Sequence, residues 1–191
     1  MIKTKVDLSY YLESDKKRLG VDHIGLLKRK AGNIFNSEKT LLYSYLIRLR
    51  KTEWYYNNRS NVFQSLLYAQ SLYRLRKLSS RVMVNIGLNT IGPGLNIYHS
   101  GGIIIHSAVR IGKNFGLQTG VVIGQTKEGM VPTIGDDVYF GPGAKAFGDI
   151  TIGNNVIVAP NSVVVKDVPA NCIVSGVPAV IIKDNSPYKD N

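Results

Sequence analysis

From residue 91 onward an aliphatic side chain returns every six positions, at Ile91, Ile97 and Ile103, then at Ile105, Ile111, Leu117 and Ile123. After an interruption the row resumes at Ile134, Phe140, Ala146, Ile152, Val158 and Val164. A period of six matches neither the 3.6 of a helix nor the two-residue alternation of a plain strand, so each hexad reads as one short strand plus one turn. The fourth position after each aliphatic residue holds Leu95, Val109, Phe115, Val121, Val138, Ala144, Ile150, Val156 and Ser162, a second inward row that predicts three flat faces around a narrow core. The chain is therefore expected to be mainly β and built on a parallel β-helix, because an ordinary sandwich would not hold a six-residue register for so long. Glycine follows the aliphatic residue at Gly92, Gly112, Gly124, Gly135 and Gly153, where a Cβ would crowd the bend or demand a positive φ. The register slips by two residues between Ile103 and Ile105, beside His99, and a break in a regular repeat marks a candidate site.

A β-helix needs a cap, because an open end coil exposes its core. Residues 1–83 are expected to supply it as a small α-helical domain, with residues 84–191 forming the β-helix domain. One helix is expected from Asp7 or Ser9 to Gly20, and a second from Ser37-Glu38 to Asn57-Asn58 with Leu41, Leu42, Tyr45, Leu46 and Leu49 on one face. A third runs after Ser60 through Phe63, Leu66 and Leu75 to about Ser79. Residues 125–132 (QTKEGMVP) interrupt the hexads and read as a loop that leaves the coil and returns. Past Val164 the pattern decays around Pro169 and Pro178, which closes the carboxy-terminal end.

Residues 1–83 carry 17 Lys and Arg against six Asp and Glu, while the remainder is balanced at seven each, so the whole net charge of +11 lies outside the repeat. Such a segment can attract nucleic acid, an anionic membrane, acidic sugars or a phosphorylated cofactor, or be a solvated helical face. Nucleic acid is not expected, since the basic residues share their helices with the apolar faces needed for capping; peripheral contact with an anionic membrane stays open. The single Cys172 allows no internal disulfide, and no Cys/His cluster has metal-ligand spacing, so no metal is expected. With no run suited to a signal peptide and no 18 apolar residues together, the expected compartment is the cytoplasm.

The stretches IGPGLNIYHSGGIII and TIGDDVYFGPGAKAFGDITIGNNVIVAPNSVVVKDVP, with the ending SGVPA, resemble the left-handed β-helix acyltransferases, in their serine acetyltransferase-like branch. The resemblance covers about residues 84–182, and DLSYYLESDKKRLG is similar to helical caps of that branch. It implies a left-handed parallel β-helix, transfer of an acetyl group from acetyl-coenzyme A to a hydroxyl, and a homotrimer with active sites between neighbouring coils; pairing of trimers through the cap stays open. It also implies that His99 is the catalytic base, a task imidazole suits near neutral pH. Such a base needs a residue to fix its tautomer; the family's aspartate aligns, across a one-residue gap, with Asn85. For the donor it implies the GPGAK and APNS turns, at Gly141, Pro142, Gly143, Ala144, Lys145, Ala159 and Pro160, with Lys145, Lys166 and Lys183 as candidates for the coenzyme's phosphates. His106 and His23 are read as structural or surface residues.

The acceptor is argued from departures. Tyr98 stands where serine acetyltransferases have an aspartate for the amino group of serine, and Met130-Val131-Pro132 stands where they have an Arg-His pair. Free serine would lose charge-assisted contacts worth about 1.5 to 3 kcal/mol each. A sugar hydroxyl has no such requirements, and the resemblance to members of this branch that decorate capsular, exo- or lipopolysaccharide implies such a sugar as the expected acceptor, with Tyr98, Gln125, Lys127 and Glu128 as candidate acceptor contacts. L-serine is the alternative acceptor, and a non-catalytic β-helix with a basic docking cap is the alternative from another class.

Overall fold

The computed structural model describes residues 1–21 and 37–185; His23 lies outside the described residues. Helix α1 spans Lys5–Leu19 and starts earlier than Asp7, because Thr4 is its N-cap. The Thr4 hydroxyl accepts from the Asp7 N–H at 3.0 Å while the Asp7 carboxylate accepts from the Thr4 N–H at 2.8 Å, a reciprocal capping box. Gly20 ends the helix at φ 63°. Helix α2 (Glu38–Asn57) begins after Ser37 and buries the expected Leu41, Leu42, Tyr45, Leu46 and Leu49. Helix α3 (Val62–Val82) outruns the expected Ser79 because Val82 is still buried against the first coil. The Thr52–Ser71 hydroxyl bond at 2.8 Å and the Tyr56–Tyr68 ring pair show that α2 and α3 run antiparallel, so Glu38 and Val82 lie at the same end.

Beyond Met83 the chain coils through five turns and three faces. The first face stacks β1 (Val84–Ile86), β3 (Ile103–Ile105), β6 (Val122–Gly124), β9 (Lys145–Phe147) and β12 (Val163–Val164). The second stacks β4 (Arg110–Ile111), β7 (Thr133–Ile134) and β10 (Thr151–Ile152). The third stacks β2 (Asn96–Ile97), β5 (Gly116–Leu117), β8 (Tyr139–Phe140), β11 (Ile157–Val158) and β13 (Cys172–Gly176). All these pairings are parallel, and β14 (Ala179–Asp184) closes the end by pairing antiparallel with β13. Every residue of both inward rows is buried, none above 7% exposed. Ser162, the polar member, accepts from the Gly176 N–H at 3.1 Å and so enters the core satisfied.

The two explanations open for the glycines separate here. Gly112 has ordinary φ, but a Cβ on it would lie 2.8 Å from the Gly135 backbone of the next coil, so close stacking excludes the side chain. The positive φ falls two residues later, on Asn114, Asp137 and Asn155, residue types that tolerate it.

The helices dock on the first coil through buried charge. Arg50, fully buried, directs Nε to Asp15 at 2.7 Å and its terminal nitrogens to Glu53 (3.1 Å), Asp15 (3.3 Å) and the carbonyls of Ile91 (2.9 Å) and Gly92 (2.7 Å). Asp15 in turn accepts from the N–H groups of Gly94 and Leu95, and Glu53 from that of Asn89. All five guanidinium donors are used, and this lets a charge cluster sit in the core.

Candidate active site

The slip beside His99 is a longer corner. Ile97 pairs with Leu117 and Ile105 with Ile123, so the path from third face to first takes eight residues in this coil and six in the next. The two extra residues lie in the Tyr98–Gly102 bend, where Gly101 and Gly102 both adopt positive φ. The bend pushes His99 outward, with its side chain 63% exposed.

Glu38, at the start of α2, meets it. One Glu38 oxygen lies 3.3 Å from His99 Nδ1, and the other accepts from the Ser100 N–H and hydroxyl at 2.8 Å each. The Ser100 backbone N–H, then its hydroxyl, hold the Glu38 carboxyl below its ordinary range, so the group is a carboxylate. A carboxylate at Nδ1 favours the tautomer protonated there and leaves the Nε2 lone pair free for an acceptor proton. Glu38 thus holds the place the sequence assigned to Asn85. Asn85 stands on the outer side of β1, exposed on the first face beside Ile104, and the Nδ1 partner of His99 is Glu38. Sequence reading missed Glu38 because it is 61 positions away, and only the helical hairpin brings it there.

The turns expected to hold the donor lie on the same edge. Gly120 N–H donates to Gly101 O (2.7 Å), Gly143 N–H to Thr119 O (2.9 Å) and Asn161 N–H to Pro142 O (2.9 Å), stacking successive corners in register. At about 4.8 Å per coil, Gly141–Lys145 and Ala159–Pro160 lie roughly 10 and 14 Å along the edge from His99, a path suited to an extended chain. Lys145 turns back onto this edge, donating from Nζ to Gly143 O at 2.9 Å. Lys166 lies at the corner between first and second faces, and Lys183 on β14, both away from it.

Tyr98 projects beside His99, 45% exposed, with its ring edge-on to Tyr139 at 5.7 Å; Tyr139 is held by a 2.8 Å bond from Gln118. Residues 125–132 do leave the coil: Ile123 to Ile134 takes eleven residues, where Ile105 to Ile111 takes six. Gln125, Lys127 and Glu128 are exposed on it, at the corner between first and second faces and so on a different edge from His99. His106 accepts from the Ala108 N–H at 3.2 Å within its own turn. Among the described residues no three His, Cys, Asp or Glu side chains come together as a metal site, and no helix is long and apolar enough to cross a membrane.

Residues 132–166 match the family described as bacterial transferase hexapeptide (six repeats). The serine acetyltransferase of Synechococcus elongatus is 34% identical over 140 residues, 72% of this chain and 55% of that protein. The chain thus spans little more than half of that relative's length. The crystal structure of Neisseria gonorrhoeae serine acetyltransferase in complex with serine is 27% identical, with a TM-score of 0.69 over 94% of this chain and 70% of that one. The Brucella abortus serine acetyltransferase in complex with coenzyme A shares the fold, with a TM-score of 0.74 and 24% identity over 96% of this chain and 71% of that one.

Proposed function

Because this chain belongs to the hexapeptide-repeat β-helix acyltransferases, in their serine acetyltransferase branch, we propose that it transfers an acetyl group from acetyl-coenzyme A to a hydroxyl. The observation that carries the reading is His99, held by Glu38 on the edge where the donor turns stack. His99 Nε2 takes the hydroxyl proton as the acceptor oxygen bonds to the thioester carbonyl carbon. The C–S bond then breaks, the imidazolium returns the proton to the departing thiolate, and the products are an O-acetyl ester and coenzyme A. The Gly143, Ala144 and Lys145 turn offers the donor carbonyls, as Pro142 and Pro160 do, because the turn's N–H groups are already donated within the coils and proline has none.

L-serine is the first acceptor reading. The relatives named above support it, and Glu38 answers the strongest objection from sequence by placing a carboxylate beside the base, the counter-charge an ammonium group needs. A sugar hydroxyl is the second, favoured by the exposed Tyr98 ring, whose apolar face suits the C–H face of a pyranose. The test is release of coenzyme A thiol with L-serine and with nucleotide sugars and oligosaccharides side by side. Saturable transfer to serine supports the first reading, transfer to sugars alone the second, and transfer to neither overturns both.

The molecule is proposed to act as a homotrimer. Ile104 on the first face is 50% exposed, and α3 presents Val62, Phe63, Leu66 and Tyr73 to solvent, apolar surface that self-association would cover. The α3 row suits pairing of trimers through the helices.

A further inference from the structure

We propose that Thr119 is a positioning residue of the reaction, one that sets His99 against the turn expected to receive the donor. This rests on acetyl transfer at His99 and deepens that reading by naming a residue that acts through the base. The bend carrying His99 is two residues longer than the same corner of the next coil, and it holds two glycines at positive φ. Added length and glycine freedom loosen such a bend, so its anchors decide where the imidazole stands. Helix α2 holds it through Glu38, which accepts from the Ser100 N–H and hydroxyl. The end of α3 holds it through Val82 O, which accepts from the Gly101 N–H at 3.1 Å. The next coil supplies the third anchor: the Thr119 hydroxyl donates to Gly101 O at 2.7 Å, the same carbonyl that takes the Gly120 N–H.

The register makes this third anchor particular to the His99 corner. Leu117 pairs with Phe140 and Phe140 with Val158, so the places that match Thr119 in the two later coils are Pro142 and Pro160, which carry no hydroxyl. Those later corners stack through backbone bonds, Gly143 N–H to Thr119 O and Asn161 N–H to Pro142 O, both at 2.9 Å. Gly101 makes room for the extra contact, since a Cβ there would lie 3.0 Å from Thr119 Oγ1. Thr119 also meets the other side of the reaction, because its own carbonyl accepts from Gly143 in the turn expected to hold acetyl-coenzyme A. Two consecutive hydrogen bonds, Gly143 to Thr119 and Thr119 to Gly101, thus span the interval from that turn to the bend of the base. Reacting atoms must stand roughly 3 to 3.5 Å apart, so a displacement of the imidazole by about 1 Å is felt in turnover and not in donor affinity.

Thr119→Ala removes the hydroxyl and Thr119→Ser keeps it, whereas valine would press a methyl group on the Gly101 carbonyl. Each variant is assayed for coenzyme A release with L-serine and with nucleotide sugars, and for coenzyme A binding by calorimetry. Thr119→Ala should lower kcat about 10-fold while the KM for acetyl-coenzyme A and the affinity for coenzyme A hold, and Thr119→Ser should keep most of the wild-type rate. In the His99→Ala background, Thr119→Ala should have no further effect on residual turnover, because a residue that acts through the base has nothing left to position. Wild-type kcat in Thr119→Ala, a loss of the same size without His99, or a loss of coenzyme A affinity in step with kcat overturns the inference and leaves acetyl transfer standing. Absence of transfer to every acceptor by the wild type overturns the proposed function, and the inference with it.

Discussion

His99, the proposed base, and Glu38, which meets its Nδ1 at 3.3 Å, come from two distant parts of the chain. The hexad slip beside His99 was legible in the sequence, and the structure turns it into a longer corner with two positive-φ glycines. Glu38 was legible only as a helix start, because nothing local ties it to a residue 61 positions away. The Glu38 carboxyl is held below its ordinary range, so its link to Ser100 favours the folded state when ionised. That contribution is complete above the unfolded value, about 4.3, and is lost as pH falls through the lower folded value. Thermal melts of wild type and Glu38→Gln should therefore differ by a constant interval above about pH 5.5, and the interval should shrink as pH falls below the unfolded value and close only once pH is below the lower folded one. Curves that stay apart in acid would show that the carboxylate charge is not what holds the link.

Among the elements, the join between helices and coil rests on Arg50. Leu41, Leu42, Tyr45, Leu46 and Leu49 mark the apolar face of its helix in the sequence, and the charged Arg50 beside Leu49 is nevertheless fully buried. Helical periodicity places a residue on a face but does not say when a neighbouring helix and a coil close over it. Here α1 contributes Asp15 and the first coil contributes two carbonyls, contacts that exist only after docking. Arg50→Met should cost about 3 to 5 kcal/mol of stability, because it leaves the Asp15 and Glu53 charges buried without their cation. Urea unfolding measures this, and a loss under 1 kcal/mol would contradict the network's role. The third helix shows the opposite error: Phe63 and Leu66 fit its apolar period but remain exposed in the single chain.

At the scale of the whole molecule those exposed residues carry the proposed self-association. Light scattering at micromolar concentration should give three chains or a multiple of three, and Phe63→Glu with Leu66→Glu should reduce any higher assembly to the trimer. A monomer would contradict the proposed assembly. The repeat made the five coils legible almost residue by residue, because burial on a period of six depends on local spacing alone. The acceptor was less legible, since a charge such as Glu38 reaches the His99 corner only through tertiary packing. The central claim is that His99 is the base of an acetyl transfer, and its direct test is His99→Ala assayed for coenzyme A release and for coenzyme A binding. Turnover should fall about 10²- to 10⁴-fold while binding of the coenzyme is retained; full turnover in the variant would contradict the account.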